Sequence, residues 1–83
     1  MKIPNEKRHY EKLLILLKEM RQQRGVRQVE LAEQLGVPQS FVSKYESGER
    51  QLNILELWRI CQVIGVPFDG FIQQLEEKLD ETE

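Results

Sequence analysis

Within six consecutive positions the chain places Gln39, Ser40, Ser43 and Lys44, with Ser47 a turn further on. A glutamine amide donates and accepts at once, a serine hydroxyl does either, and a lysine ammonium donates with charge. Such a set suits reading the hydrogen-bonding edges of a partner and holding anions. It does not suit making or breaking bonds. The groups that do such work are scarce, because His9 is the only histidine and Cys61 the only cysteine. A Ser-His-Asp arrangement would rest on His9, close to a terminus. A zinc site would have to draw on carboxylates, and no ligand spacing is present. The five glycines stand singly as helix stops, so no phosphate-cradling loop is formed. These residues point to a binding protein that is not an enzyme and carries no metal or cofactor.

Two short helices with a tight corner must position the strip. They are read over Gln28–Ser47, QVELAEQLGVPQSFVSKYES. Leu31, Ala32 and Leu35 share one helical face. Ala32 is small where a second helix must come close. Gly36 suits the left-handed conformation that reverses the chain. Val37 plugs the corner, and Pro38 fits the first helical position, where a missing N–H costs nothing. Val42 and Tyr45 are the inward pair of the second helix, which ends at Gly48. Gln39, Ser40, Ser43 and Lys44 are thereby left on its outer surface.

The remaining periodicity is helical throughout. A long first helix is expected from a cap at Asn5 to about Arg24, stopped by Gly25, with Tyr10, Leu13, Leu14, Leu17 and Met20 inward. Ile15 and Leu16 widen its apolar surface toward the last helix or a second subunit. Asn53 and Glu56 form a capping-box variant that opens a fourth helix. Its expected buried face is Ile54, Leu57, Ile60, Cys61 and Ile64, and Gly65 ends it. Pro67 restarts the chain into a fifth helix over about 67–79, carrying Phe68, Phe71, Ile72, Leu75 and Leu79, with an acidic end over residues 80–83.

The fold class is therefore all-α: one five-helix domain over residues 1–83 with extended first and last helices. With 83 residues, 40% of them hydrophobic, a single small core is possible, and such chains often gain burial by dimerising. Trp58, Phe71, Leu75 and Leu79 are the candidate homodimer residues. The alternatives are a core edge for Trp58 and packing onto the first helix for Leu75 and Leu79. No apolar run approaches the length of a membrane span, so no membrane partner is expected. A lone, core-type cysteine is consistent with a cytoplasmic protein. The net charge of −2 hides an asymmetry, since residues 1–50 carry +3 and residues 51–83 carry −5. A local positive face can coexist with a negative total.

Over roughly Leu13–Leu75 the chain resembles the lambda repressor and Cro group, the Xre-type bacterial regulators. The resemblance rests on the Ala32-x-x-x-Gly36 corner, on Gln28 opening the first motif helix, and on Glu46-Ser47-Gly48 closing the second. It implies a lambda-repressor-like domain whose third helix enters the major groove of double-stranded DNA. Gln39 would read an adenine edge, with Ser40 beside it. Lys44 would take a guanine or a phosphate, and Ser43 either one more weakly. Phe41 would touch a thymine methyl or seal the helix flank. Arg27, Gln28, Ser47 and Arg50 would hold phosphates. The family also implies that Arg21 of the first helix pairs with Glu46. It usually caps the first motif helix with Ser or Thr, where this chain has Arg27. A dimer would read a palindromic operator with half-sites about 10 bp apart.

The implied function is a dimeric repressor of bacterial or phage origin. Two rivals keep the DNA-binding domain: the antitoxin of a toxin pair, with a protein partner at the C-terminal helix, and a restriction-modification controller. A third is a protein-interaction adaptor that has lost DNA. Its expected mark is an acidic or apolar recognition face, which Gln39, Ser40, Ser43 and Lys44 argue against.

Overall fold

The dipeptide Gly-Val occurs three times, at 25–26, 36–37 and 65–66, and each copy ends a helix. A computed structural model describes residues 6–81. Its helices are α1 (Glu6–Gln23), α2 (Gln28–Leu35), α3 (Gln39–Ser47), α4 (Ile54–Ile64) and α5 (Phe68–Asp80). Among the described residues there is no strand.

At the corner between α2 and α3, Gly36 takes φ 74°, a conformation open to glycine but strained for other residues. Its N–H then reaches Glu33 O at 3.2 Å, and the Val37 N–H reaches Ala32 O at 3.0 Å. Two carbonyls that the helix end would orphan are satisfied, which is the Schellman arrangement. The same pair of bonds closes α1 (Gly25 to Gln22, Val26 to Arg21) and α4 (Gly65 to Gln62, Val66 to Cys61). In each case the valine then turns inward: Val66 is buried, and Val26 and Val37 pack against the core. Arg27, Pro38 and Pro67 follow as N-caps. Pro38 thus stands one residue earlier than the sequence suggests, just outside α3 and in extended backbone.

Leu17, Leu31, Val42, Tyr45, Ile60, Cys61 and Phe71 form the fully buried centre. α3 lies between α1 and α2, while α5 covers α1 and α4. Burial pushes the Cys61 thiol up to about 11, so it stays protonated and unreactive at neutral pH. No helix among the described residues is long and apolar enough to cross a membrane.

Several expectations are corrected. Phe71 is fully buried against the protein's own helices, so it cannot serve a dimer interface. Leu75 also packs against the core, and Leu79 is half-buried. With Lys12 Nζ donating to Lys78 O across 2.9 Å, α5 finds much of its cover on α1. Ile54 is not a core residue: it is 61% exposed, because the first turn of α4 projects past the edge of the core. Ile72 and Ile15 are exposed too, whereas Leu16 is buried. Gly70 lies inside the first turns of α5 rather than ending a helix, and Asp80 belongs to α5 rather than to a free end. The expected cap at Asn5 lies outside the described residues.

Among the described residues one buried side-chain group is uncompensated. Tyr45 is fully buried, and its hydroxyl has no hydrogen-bond partner among the described residues. Desolvation accordingly pushes its ionisation well above the ordinary tyrosine value. An orphaned buried donor costs about 1–3 kcal/mol. Tyr45→Phe should therefore stabilise the domain by about 1 kcal/mol, raising Tm by roughly 4–8 °C in a thermal circular dichroism scan. A lower Tm would show that the hydroxyl holds a bond after all.

Candidate nucleic-acid interface

Arg21, near the end of α1, is the one buried cation among the described residues. Its Nε donates to Glu46 Oε2 at 2.7 Å and its Nη2 to Glu46 Oε1 at 3.2 Å. Nη1 donates to Val26 O at 2.7 Å, inside the turn that leads to α2. The two side chains retain only 8% and 3% of their exposure. Glu46 stands near the end of α3, so α1 and α3 are locked together beside the first turn of α2.

The lock extends to the protein surface. Gln28 Nε2, at the start of α2, donates to Glu46 Oε1 at 2.8 Å. Gln28 Oε1 in turn accepts from Gln39 Nε2, a longer contact of 3.4 Å. A chain of side chains therefore runs from the buried Arg21 to the first residue of α3. It fixes the side of α3 from which Gln39, Ser40, Ser43 and Lys44 emerge. All four are exposed, as is Ser47. Ser43 Oγ donates back to Ser40 O at 3.3 Å and Ser47 Oγ to Lys44 O at 3.0 Å. The Lys44 ammonium has no partner among the described residues. Among these residues no cluster of His, Cys, Asp or Glu is placed to hold a metal.

The flanks differ from what the sequence suggests. Arg27 has no acceptor atom to cap α2, but Glu30 supplies the other half of a capping box: its Oε1 accepts the Arg27 N–H at 2.9 Å. That bond and the Arg27 guanidinium at 3.5 Å hold the Glu30 carboxyl below its ordinary range. The cation at the positive end of the helix is thus partly offset from within. Gln28 spends one amide N–H on Glu46 and its carbonyl oxygen on Gln39, which leaves the second N–H of Nε2. Arg50 is also engaged: Nη1 and Nη2 donate to Glu56 Oε1 and Oε2 at 3.0 and 2.9 Å. Its guanidinium lies 4.3 Å from the centre of the Phe41 ring. The asparagine–glutamate spacing of the α4 cap was legible in sequence. Its second use, as the anchor for Arg50, was not.

Comparison with known proteins fits this geometry. The family model described as helix-turn-helix matches residues 17–71. The solved structure of an XRE-family like protein from Pseudomonas syringae pv. tomato str. DC3000 superposes with a TM-score of 0.83 at 43% identity, covering 87% of this chain and 88% of that one. The chain belongs to the XRE family of helix-turn-helix proteins. Members of this family are DNA-binding regulators. The HTH-type transcriptional regulator SutR of Escherichia coli (strain K12) is 39% identical over 56 residues, 68% of this chain and 32% of SutR. The chain thus spans about a third of that relative's length. A mutant of the restriction-modification controller protein C.Esp1396I shares the fold, with a TM-score of 0.80 at 24% identity over 90% of this chain and 95% of that one. The match spans α2 and α3, and in this chain the Arg21–Glu46 pair ties α1 to them.

Removing one partner of a buried pair strands the other's charge, at a cost of about 3–5 kcal/mol. Arg21→Met should lower stability by that amount in urea unfolding. Arg21→Met combined with Glu46→Leu should regain most of the loss, because no charge is then left buried. An unchanged midpoint for the single variant would contradict the assignment.

Proposed function

We propose that the chain is a sequence-specific transcriptional regulator that inserts α3 into the major groove of double-stranded DNA. It binds as a homodimer to a palindromic operator and acts as a repressor. The observation that carries this reading is the anchored amide of Gln39. One of its N–H groups is held by Gln28, which leaves the carbonyl oxygen and the second N–H for a partner. Those two groups match the N6 donor and N7 acceptor of adenine.

The other roles follow from position. Ser40 sits beside Gln39 in the first turn of α3. Ser43 and Lys44 lie one turn on, with the Lys44 charge free for a guanine edge or a phosphate. The first N–H groups of α2 have no intrahelical carbonyl, and a phosphate there would satisfy them. The exposed Arg27 guanidinium flanks the same spot. Gln28 contributes its backbone N–H to that phosphate, while its side chain braces Gln39. Phe41 is taken up under Arg50 and leaves thymine recognition to other groups.

The dimer surface needs revision, since Phe71 is buried. Trp58 remains, 41% exposed, and it is flanked on α4 by the exposed Ile54 and Leu55. An apolar patch of this kind favours a symmetric contact between copies. The reading of repression follows from the family resemblance and from the occlusion of DNA that an occupied operator produces.

In vitro selection from a random DNA pool should return a palindrome with half-sites about 10 bp apart. Gln39→Ala, run on the same pool, should lose about 1–3 kcal/mol and relax one base pair per half-site. A pool that shows no enrichment, or enrichment without symmetry, would count against the reading.

A further inference from the structure

The surroundings of Arg50 hold more than a surface ion pair requires. Its backbone N–H donates to Lys44 O at 3.2 Å, which fastens the residue to the end of α3. Its guanidinium lies over the ring of Phe41, also on α3, at 4.3 Å. Glu56 grips it from α4 through both Nη atoms, and Nη1 further donates to Gln51 O at 3.1 Å. Glu56 is itself fixed, since Oε1 accepts the Asn53 N–H at 3.0 Å and the Asn53 side chain accepts the Glu56 N–H at 2.8 Å. These bonds hold the Glu56 carboxyl below its ordinary range and the Arg50 guanidinium above its own.

A guanidinium has five N–H groups. Three of those on Arg50 are used: two on Glu56 and one on Gln51. The Nε–H and the second Nη2–H remain, and they lie on the same edge of the plane. That edge is itself a fork suited to two oxygens of a phosphate. The side chain is 41% exposed, and neither of these two N–H groups has a hydrogen-bond partner among the described residues. Glu56 and a phosphate therefore do not compete for the same donors.

We propose that Glu56 is a positioning residue for DNA contact. It clamps one edge of Arg50 on the Phe41 ring so that the other edge is presented, with the recognition helix, to a backbone phosphate. The proposal rests on the reading of α3 as the DNA-contacting helix. Freezing a long, rotamer-rich side chain before binding removes an entropy cost that would otherwise fall on the complex. A carboxylate beside DNA is normally a liability, because it repels phosphate. Here the repulsion is offset by the aim it gives to Arg50.

The test is a double-mutant cycle on the selected operator, read as affinity across a series of salt concentrations. Arg50→Ala in the natural background should weaken binding by about tenfold, the scale of one charge-assisted contact, and flatten the salt slope by about one unit. In the Glu56→Gln background the same change should cost much less, because Arg50 is no longer aimed. Glutamine keeps an acceptor for the Asn53 N–H, so the α4 cap and the melting temperature should hold. Arg50→Lys, which keeps the charge but lacks the two-edged plane, should behave like Arg50→Ala. Equal costs in both backgrounds would overturn the proposal. A larger cost in Glu56→Gln would also overturn it and make Glu56 a competitor of DNA. Either result leaves the functional reading standing, because the natural protein still binds. Failure of the natural protein to bind any DNA would remove both.

Discussion

A single buried cation sets the geometry of this domain. Arg21 lies almost wholly out of water, where an uncompensated charge would cost several kcal/mol. It is tolerated because Glu46 meets it bidentately and Val26 O takes a third N–H. Meeting those bonds fixes three things at once: the end of α1, the turn into α2 and the end of α3. Apolar packing alone would leave the helices free to slide, since dispersion and burial are weakly directional. Replacing the pair by hydrophobes could preserve stability, but it would not reproduce this alignment.

The consequence for function runs outward along hydrogen bonds. Glu46 has an acceptor site left for Gln28, and Gln28 has one left for Gln39. The α3 strip is thus referenced to the core at two points, its packed face through Val42 and Tyr45 and its polar N-terminus through the relay. On the opposite flank, Arg50 and Glu56 tie the α3–α4 loop to the first turn of α4. Pre-ordering on both sides lowers the entropy that binding would otherwise have to supply. It also explains why a chain of net charge −2 can be suited to DNA: a few cations at fixed positions matter more than the total.

Much of this was legible in the residues, for identifiable reasons. Helix ends were readable because glycine is demanded by a positive φ, as at Gly36. The inward positions of α3 were readable because a short helix has room for few apolar residues, here Val42 and Tyr45. The outward strip followed by exclusion. What was not legible depended on distances between segments far apart in sequence. Nothing in local pattern says that Phe71 is fully enclosed while Ile72 beside it is exposed, or that Ile54 overhangs the core edge. Periodicity gives a face but not how far the neighbouring helix extends to cover it. Residue type and place mark Gln28 and Arg50 as phosphate donors but do not show that each also spends part of its donors on a carboxylate within the chain. A side chain's partners are set by the tertiary fold, and one-dimensional spacing constrains them only within a single helix.

The account is tested most directly by following backbone amide chemical shifts as the selected operator duplex is titrated into labelled protein. If the braced α3 face is the contact surface, the largest changes fall on Gln39, Ser40, Ser43, Lys44 and the first turn of α2. The N-terminal half of α1 and the outer face of α5 should stay nearly silent. Large shifts confined to the exposed α4 patch around Trp58 or to α5, with α3 unmoved, would contradict the account.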